Sequence, residues 1–366
     1  MGKLCSKQSQ IPSTVINPTP TSHISKITED DFTLLKLIGK GSFGTVYLVR
    51  LKRNNSIYAM KILNKSILKE KNQEKNTKTE RDLMIQLNSP FIVSIKFAFQ
   101  SGTKLFLVQE FLQGGDLFFH IHSTPKFPNK KAKFYVIELI LAIEFLHKNN
   151  MLYRDLKPEN VLIGKDGHIK LTDFGISKIL SEVDKTYTLC GTIQYLAPEI
   201  ITGDGYNESV DWWSLGCIFY EMLTGRFPFK FSKNGIIKSD IYKKQIKFPE
   251  YIEDKAKDLI LKFLEHDPNK RLGSGERGWE NVKAHPYFEG VNWEDAFYKK
   301  LTPPFIPNVE NDLDLKYFDN NFSDTNNEDY EELYDDGENK EEDYQGFTYV
   351  SNSLKELLNM NDEVSN

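Results

Sequence analysis

The sequence predicts an α+β molecule of two lobes, a small one rich in β-strands followed by a larger helical one, with extensions at both ends. Three observations lead there. The chain has 366 residues, more than a single hydrophobic core usually holds. Strand-like apolar runs crowd the stretch from Phe32 to Phe111 and stop at Gln113-Gly114-Gly115, a break that reads as the hinge between lobes. Beyond it lie an amphipathic helical stretch from Lys131 to His147 and an apolar helix starting at Asp211-Trp212-Trp213, expected at the buried base of the large lobe.

Composition suits a globular chain: 39% hydrophobic, 13% aromatic and 27% charged. A net charge of −5 supplies no dominant positive field, so a nucleic-acid partner is not expected. The three cysteines, Cys5, Cys190 and Cys217, form no CxxC pair. A reducing compartment is expected, with neither a disulfide framework nor a zinc site. No apolar run approaches membrane-spanning length, and the start lacks the apolar core of a signal peptide. The expectation is a cytoplasmic protein, free or attached to the cytosolic face of a membrane.

The chain opens MGKLCSKQSQ. Gly2 behind the initiator Met, with Ser6 at the required spacing, matches the N-myristoylation pattern. Cys5 lies near enough to take a palmitoyl chain at the same surface, and Lys3 and Lys7 favour anionic lipid. One myristoyl chain binds membranes with a constant of only about 10⁴ M⁻¹, so a second acyl group matters. Such short patterns also arise by chance. Residues 1–27 otherwise read as a disordered tether, rich in Ser, Thr, Pro and Asn from Gln8 to Lys26.

The character changes at Thr28-Glu29-Asp30-Asp31. From Phe32 to Leu51, strand residues are interrupted by Gly39-Lys40-Gly41-Ser42-Phe43-Gly44, where glycines let backbone amides approach a phosphate that side chains would obstruct. The strand Ile57 to Ile62 follows and carries Lys61; a lysine ending such an apolar run is commonly a snorkelling surface residue. The stretch after it, up to Lys78, is heavily basic and reads as a solvated helical face. Glu80 lies in the helical stretch TKTERDLMIQL, with Met84 one turn on, on the inward face.

The residues from Tyr153 to Gly175, YRDLKPENVLIGKDGHIKLTDFG, carry the chemistry. They set Asp155, Lys157, Asn160 and Asp173 on two loops around the short alternating segment His168 to Thr172. Magnesium takes hard oxygen ligands and keeps several positions for phosphates and water, so one Asp plus one Asn suffices from the protein. With the glycine loop and Lys61 ahead of it, this stretch resembles the eukaryotic protein kinases. YRDLKPEN matches their catalytic loop, Asp173-Phe174-Gly175 their DFG triplet, and the Ile57–Ile62 strand their VAIK strand.

The resemblance implies a bilobal protein kinase fold over 32–288, with the N-lobe at 32–112 and the C-lobe at 113–288. It implies ATP and Mg2+, and a phosphoryl transfer that depends on positioning and charge neutralisation. Asp155 would orient the acceptor hydroxyl and take its proton, Lys157 would contact the γ-phosphate, and Asn160 and Asp173 would hold magnesium. Lys61 would grip the α- and β-phosphates with Glu80 as its partner, under a cover of Ile38 and the loop Gly39 to Gly44. Glu110 to Leu112 would offer backbone groups to adenine, Val46, Ala59 and Leu162 would contact the base, and Gln109 would control a deeper pocket. The competing reading is a lipid-anchored scaffold that binds nucleotide without transferring phosphate. Intact Lys61, Asp155, Asn160 and Asp173 count against it.

The activation segment runs from Asp173 to Glu199. Thr188 stands where the AGC group of kinases carries its activating phosphothreonine, and a phosphate there would order the loop against Arg154 and Lys178. Two residues depart from the family: Gln194 replaces a usual Glu, and Asn76 a His of cyclic-AMP-dependent kinase. Glu199 and Arg271 match a structural ion pair. Residues 289–366 resemble the AGC tail: Leu301 to Pro307 its start, Phe318 to Phe322 the part that crosses the nucleotide pocket, and 344–349 the hydrophobic motif of protein kinase B and ribosomal S6-type kinases. Phe347 and Tyr344 are expected to dock beside the Glu80 helix, and phosphate on Thr348 to pair with the basic run Lys65 to Lys78. The acidic stretch after Thr325 reads as a solvated linker, or as fixed carboxylates standing in for a missing phosphate. Asp116, Glu159 and Glu221 align with acids that bind arginines upstream of the acceptor, implying Arg-directed Ser/Thr specificity. Expected partners are protein substrates, activating kinases resembling phosphoinositide-dependent kinase, and a membrane surface reached through the acyl groups, with the kinase itself a monomer.

Overall fold

The computed structural model describes residues 26–41, 44–179, 186–187, 190–229, 242, 245–318 and 343–358. Gly2, Cys5, Ser42, Phe43, Thr188 and the acidic stretch after Thr325 lie outside them. The small lobe is built on strands β1 (Phe32–Lys40), β2 (Gly44–Leu51), β3 (Ile57–Asn64), β4 (Ile95–Ser101) and β5 (Lys104–Glu110), with helices α1 (Lys65–Glu70) and α2 (Glu74–Gln86) between β3 and β4. Side chains alternate across a strand, and the apolar ones here fill both faces. Leu63, Ala98, Leu105 and Leu107 join Leu83 and Met84 of α2 in the main core. Met60, Ile62, Phe97, Phe99, Phe106 and Val108 form a second cluster on the opposite face, closed by Ile27 and Phe32. Phe99 stacks between Phe106 at 4.7 Å and Phe32 at 5.8 Å.

The large lobe runs through α3 (Leu117–His122), α4 (Asn129–Lys148), the short strands β6 (Met151–Leu152), β7 (Val161–Ile163), β8 (Ile169–Leu171) and β9 (Lys178–Ile179), then α5 (Pro198–Thr202), α6 (Ser209–Thr224), α7 (Asp254–Phe263), α8 (Gly278–Lys283) and α9 (Trp293–Phe297). Every residue of α6 is buried, as expected of the base of this lobe. The amphipathic reading of α4 needs correction. It is buried from Phe134 to Glu144 without a break, because α6, α8, α9, β6 and β8 all pack around it. Among the described residues no helix is long and apolar enough to cross a membrane.

The tail binds back across both lobes. Gln113 Nε2 donates to the Asn311 carbonyl at 2.7 Å, and Phe318 stacks on Phe111 at 5.4 Å. Gly115 has φ +71°, and a Cβ there would lie 2.2 Å from the Tyr317 carbonyl oxygen. The hinge glycine thus serves close approach of the tail as well as chain freedom. At the far end, β10 (Tyr349–Val350) and α10 (Asn352–Leu357) return to the small lobe. β10 joins the edge of the sheet, whose order is β1-β2-β3-β5-β4-β10.

Candidate active site

Each lobe delivers part of the site. In β3, Lys61 shares its face with Ala59 and Leu63, while Met60 and Ile62 fill the opposite cluster. It therefore points to the cleft and is no snorkelling surface lysine. Its Nζ lies 2.8 Å from Glu80 Oε1 on α2 and 3.1 Å from Asp173 Oδ1 at the end of the β8 loop. One cation thus ties two carboxylates across the cleft. Burial works against the Lys61 charge, but Asp173 and Glu80 outweigh it and raise its pKa above that of an ordinary lysine. The same Lys61 charge holds the Asp173 carboxyl below the usual range, against the effect of burial. Burial pushes Glu80 up. A Cβ on Gly175 would lie 3.4 Å from both Asp173 Oδ1 and Glu80 Oε2, so a glycine gives these carboxylates room.

The catalytic loop is a hydrogen-bonded knot. Lys157 Nζ sits 2.9 Å from Asp155 Oδ2, and Asn160 Nδ2 donates to Asp155 Oδ2 at 3.0 Å and to its carbonyl at 2.9 Å. Thr192 Oγ1, from the activation segment, accepts from Lys157 Nζ at 3.1 Å and faces Asp155 Oδ1 at 3.4 Å. Burial pushes the Asp155 carboxyl upward; Lys157 and Asn160 pull it back only in part. A raised carboxylate is the more basic one, which suits proton acceptance. Arg154 and Asp173 both adopt left-handed backbone, at φ 68° and 60°, a conformation costly for residues other than glycine. Buried Asp211 holds the first in place: its carboxylate accepts from the Tyr153 and Arg154 amides at 3.0 and 2.9 Å, and meets His147 Nε2 at 2.9 Å. Sequence reasoning passed over Thr192 and Asp211. Thr192 lay in plain view in the LCGT run, whereas Asp211 looked like the mere start of a helix.

The nucleotide-side positions come from both lobes, Ile38, Val46 and Ala59 from β1, β2 and β3 and Leu162 from β7. Ile38, Val46, Ala59 and Leu162 are half-buried, and Leu112 is buried. Gln109 is buried, with Nε2 3.7 Å from Met84 Sδ and Oε1 accepting from Thr172 Oγ1 at 3.3 Å. The Glu110 carboxylate serves the fold, taken up by Ser94 and by Lys170 at 2.7 Å. Lys40 ends β1 exposed. Of the loop glycines, Gly39 and Gly41 would meet nothing closer than 3.5 Å if given a Cβ, so packing does not demand glycine there. At Gly44 a Cβ would fall 1.9 Å from the Ile62 carbonyl oxygen, so this glycine answers to strand packing rather than to a ligand. The open cradle at Gly39 and Gly41, with Asp173 beside Lys61 and Asn160 beside Asp155, fits a magnesium nucleotide.

Other expected site residues are placed as follows. Asp116 caps α3, accepting from the Phe119 amide at 2.7 Å. Glu159 is exposed in the catalytic loop. Glu221 is 1% exposed, accepts from Tyr195 Oη at 2.8 Å and faces His122 Nε2 at 3.8 Å. Arg154 donates to the Ile176 carbonyl and to Tyr206 Oη, and Lys178 Nζ to Thr186 Oγ1. Asn76 pairs with Gln73. Arg271 grips Glu199 through both terminal nitrogens, at 2.6 and 3.0 Å.

The basic stretch is not simply a solvated face. Lys65 is 1% exposed, pairs with Asp343 at 3.5 Å and donates to the Gly102 carbonyl, and Lys78 donates to the Gln345 carbonyl. Phe347 is fully buried in the main core, with Tyr344 partly buried against it. Thr348 is exposed.

Residues 32–288 match the family model described as protein kinase domain, and the chain belongs to that family. It is 41% identical over 335 residues to a RAC family serine/threonine-protein kinase homolog of Dictyostelium discoideum, covering 90% of this chain and 74% of that protein. It is 45% identical to serine/threonine-protein kinase gad8 of Schizosaccharomyces pombe, covering 81% of this chain and 52% of that one. Ribosomal protein S6 kinase beta of Caenorhabditis elegans is 40% identical over 96% of this chain and 64% of its own length. The chain spans between a third and three quarters of the length of the curated relatives it matches.

Proposed function

We propose that this chain is an ATP- and magnesium-dependent serine/threonine protein kinase of the AGC group. The observation that carries the reading is the Lys61 bridge, 2.8 Å to Glu80 and 3.1 Å to Asp173, set over the Asp155–Lys157–Asn160 knot. The acceptor hydroxyl oxygen attacks the γ-phosphorus and the bond to the bridging oxygen of ADP breaks. The hydroxyl proton passes to Asp155. Lys157 offsets charge on the transferring group, and Lys61 steadies the α- and β-phosphates. Asn160 and Asp173 would hold magnesium, which when bound neutralises phosphate charge.

Arg-directed choice of substrate rests on Asp116, Glu159 and Glu221, which meet a cation with three carboxyl groups. Phosphates on Thr188 and Thr348, added by upstream kinases, complete the active form; Thr348 is exposed and open to such an enzyme. Acyl groups on Gly2 and Cys5 bring the monomer to the cytosolic face of a membrane. The relatives' names and the intact site residues support the first statement, and the alignment of acids and acyl motif supports the rest.

The test is transfer of labelled γ-phosphate to serine peptides with and without upstream arginines. Asp155→Asn is expected to abolish transfer, by at least about a thousandfold, while ATP still raises the melting temperature. Transfer that survives Asp155→Asn, or is absent from the phosphorylated native protein, overturns the reading.

A further inference from the structure

Strand β5 carries a polar residue where its pattern calls for an apolar one. Alternation sends Leu105 and Leu107 into the main core and Phe106 and Val108 into the opposite cluster. Gln109 continues the first row, opposite Ala59 on the face of β3 that also holds Lys61, and is only 8% exposed. A buried amide costs stability unless its hydrogen bonds are made. Its Oε1 accepts from Thr172 Oγ1 at 3.3 Å. Its Nε2, among the described residues, meets only the Met84 sulfur at 3.7 Å, a weak acceptor. The bond to Thr172 is what satisfies this side chain.

Thr172 stands between the two residues that would hold magnesium. Its amide donates to the Asn160 carbonyl at 3.0 Å, and Asp173 follows it in the chain. Its carbonyl accepts from Tyr153 Oη. Both partners belong to the large lobe and move with the loop. Among the described residues, the small lobe reaches residues 172 and 173 by two side-chain hydrogen bonds, Gln109 with Thr172 and Lys61 with Asp173. Lys61 has a second duty toward the nucleotide phosphates, and Gln109 has none. The Asp173 backbone is left-handed, at φ 60°, and such a residue keeps its place only where its surroundings over-determine it.

We propose that Gln109 is a positioning residue for Asp173: through the Thr172 hydroxyl it registers the turn that carries this carboxylate against β5, and so sets how well the site takes its metal. The metal consequence rests on the kinase reading above; the tie between Gln109 and Thr172 does not. A methionine at 109 would fill the same space and leave the turn to Lys61 alone.

Three substitutions in the full chain test this. Gln109→Met keeps the volume and removes the acceptor, Thr172→Val keeps the shape and removes the donor, and Thr172→Ser retains a hydroxyl. ADP binding is measured by calorimetry with and without Mg2+, and hydrogen exchange is followed in the nucleotide-free protein. In Gln109→Met and in Thr172→Val, the factor by which Mg2+ tightens ADP binding is expected to fall about fivefold, with metal-free ADP binding native. The double variant is expected to lose about the same fivefold, because both changes break one bond. Exchange at the amides of residues 172–175 is expected to quicken severalfold in each, with α6 unchanged, and Thr172→Ser keeps native values. A native Mg2+ effect in Gln109→Met overturns the proposal, as does an equal loss of metal-free ADP binding, the mark of packing alone. Losses that multiply in the double variant, or 172–175 amides that exchange as in the native protein, overturn it too. A native protein that binds no ADP, yet whose 172–175 amides quicken in Gln109→Met, defeats the kinase reading and leaves the tie between Gln109 and Thr172 standing.

Discussion

Asp155 is held by neighbours that pull in opposite directions. Burial raises its pKa and Lys157, 2.9 Å away, lowers it. Removing the cation in Lys157→Met destabilises the anion and raises the pKa further. The acid limb of kcat/KM should therefore move to higher pH in Lys157→Met than in the native enzyme, beyond any loss of rate; a limb that stays or moves down refutes the role given to this pair. Glu221 makes the opposite case, a carboxyl whose burial costs stability. Burial lifts its pKa from 4.5 to about 7, so the folded protein binds more protons than the unfolded chain between those values, and stability falls as pH rises through that window. Above pH 7 the cost is about 3 kcal/mol. Glu221→Gln should gain melting temperature over the native protein at pH 8 and gain little at pH 5; a pH-independent difference refutes it. The sequence showed both acids and neither environment, since the burial of each is made by residues far off in the chain.

At the scale of elements, the glycine loop divides its labour. Gly44 belongs to the sheet, because any side chain there meets the Ile62 carbonyl. Gly41 has ordinary space, 3.7 Å to its nearest neighbour. Gly44→Ala should cost about 1–3 kcal/mol of folding stability, whereas Gly41→Ala should leave the melting temperature in place and raise the KM for ATP. Equal effects of the two on stability, read by thermal unfolding, would sink this division. The GKGSFG run reads as a glycine turn between strands, but its spacing could not reveal which glycine answers to strand packing. Helix α4 teaches the same lesson: its residues looked amphipathic because periodicity reports one dry face, and only the packing of five other elements shows the rest to be dry as well.

Across the whole molecule, the two-lobed fold was readable because local patterns specify it, and so was the grouping of Lys61, Glu80 and Asp173 and of Asp155, Lys157 and Asn160. What stayed hidden was contact between distant stretches. Asp211 bracing Arg154, Thr192 joining Lys157, and Lys65 buried against the tail all depend on long-range closure. Tail docking lies between the two. Its aromatic motif was visible, yet nothing in the alternation of Tyr349, Val350 and Ser351 announced a sixth strand.

That strand bears on how the molecule is made. Tyr344 and its partner Gln100 are 244 residues apart in sequence, and the edge of the small-lobe sheet is finished only by the far end of the chain. A ribosome releases the first five strands long before β10, so the lobe that emerges first is among the last to be completed. During that wait the β4 edge and the apolar face around Phe97 and Phe99 stand open to other chains. A nascent chain arrested before residue 343 should thus lean on chaperones more heavily than the finished protein does.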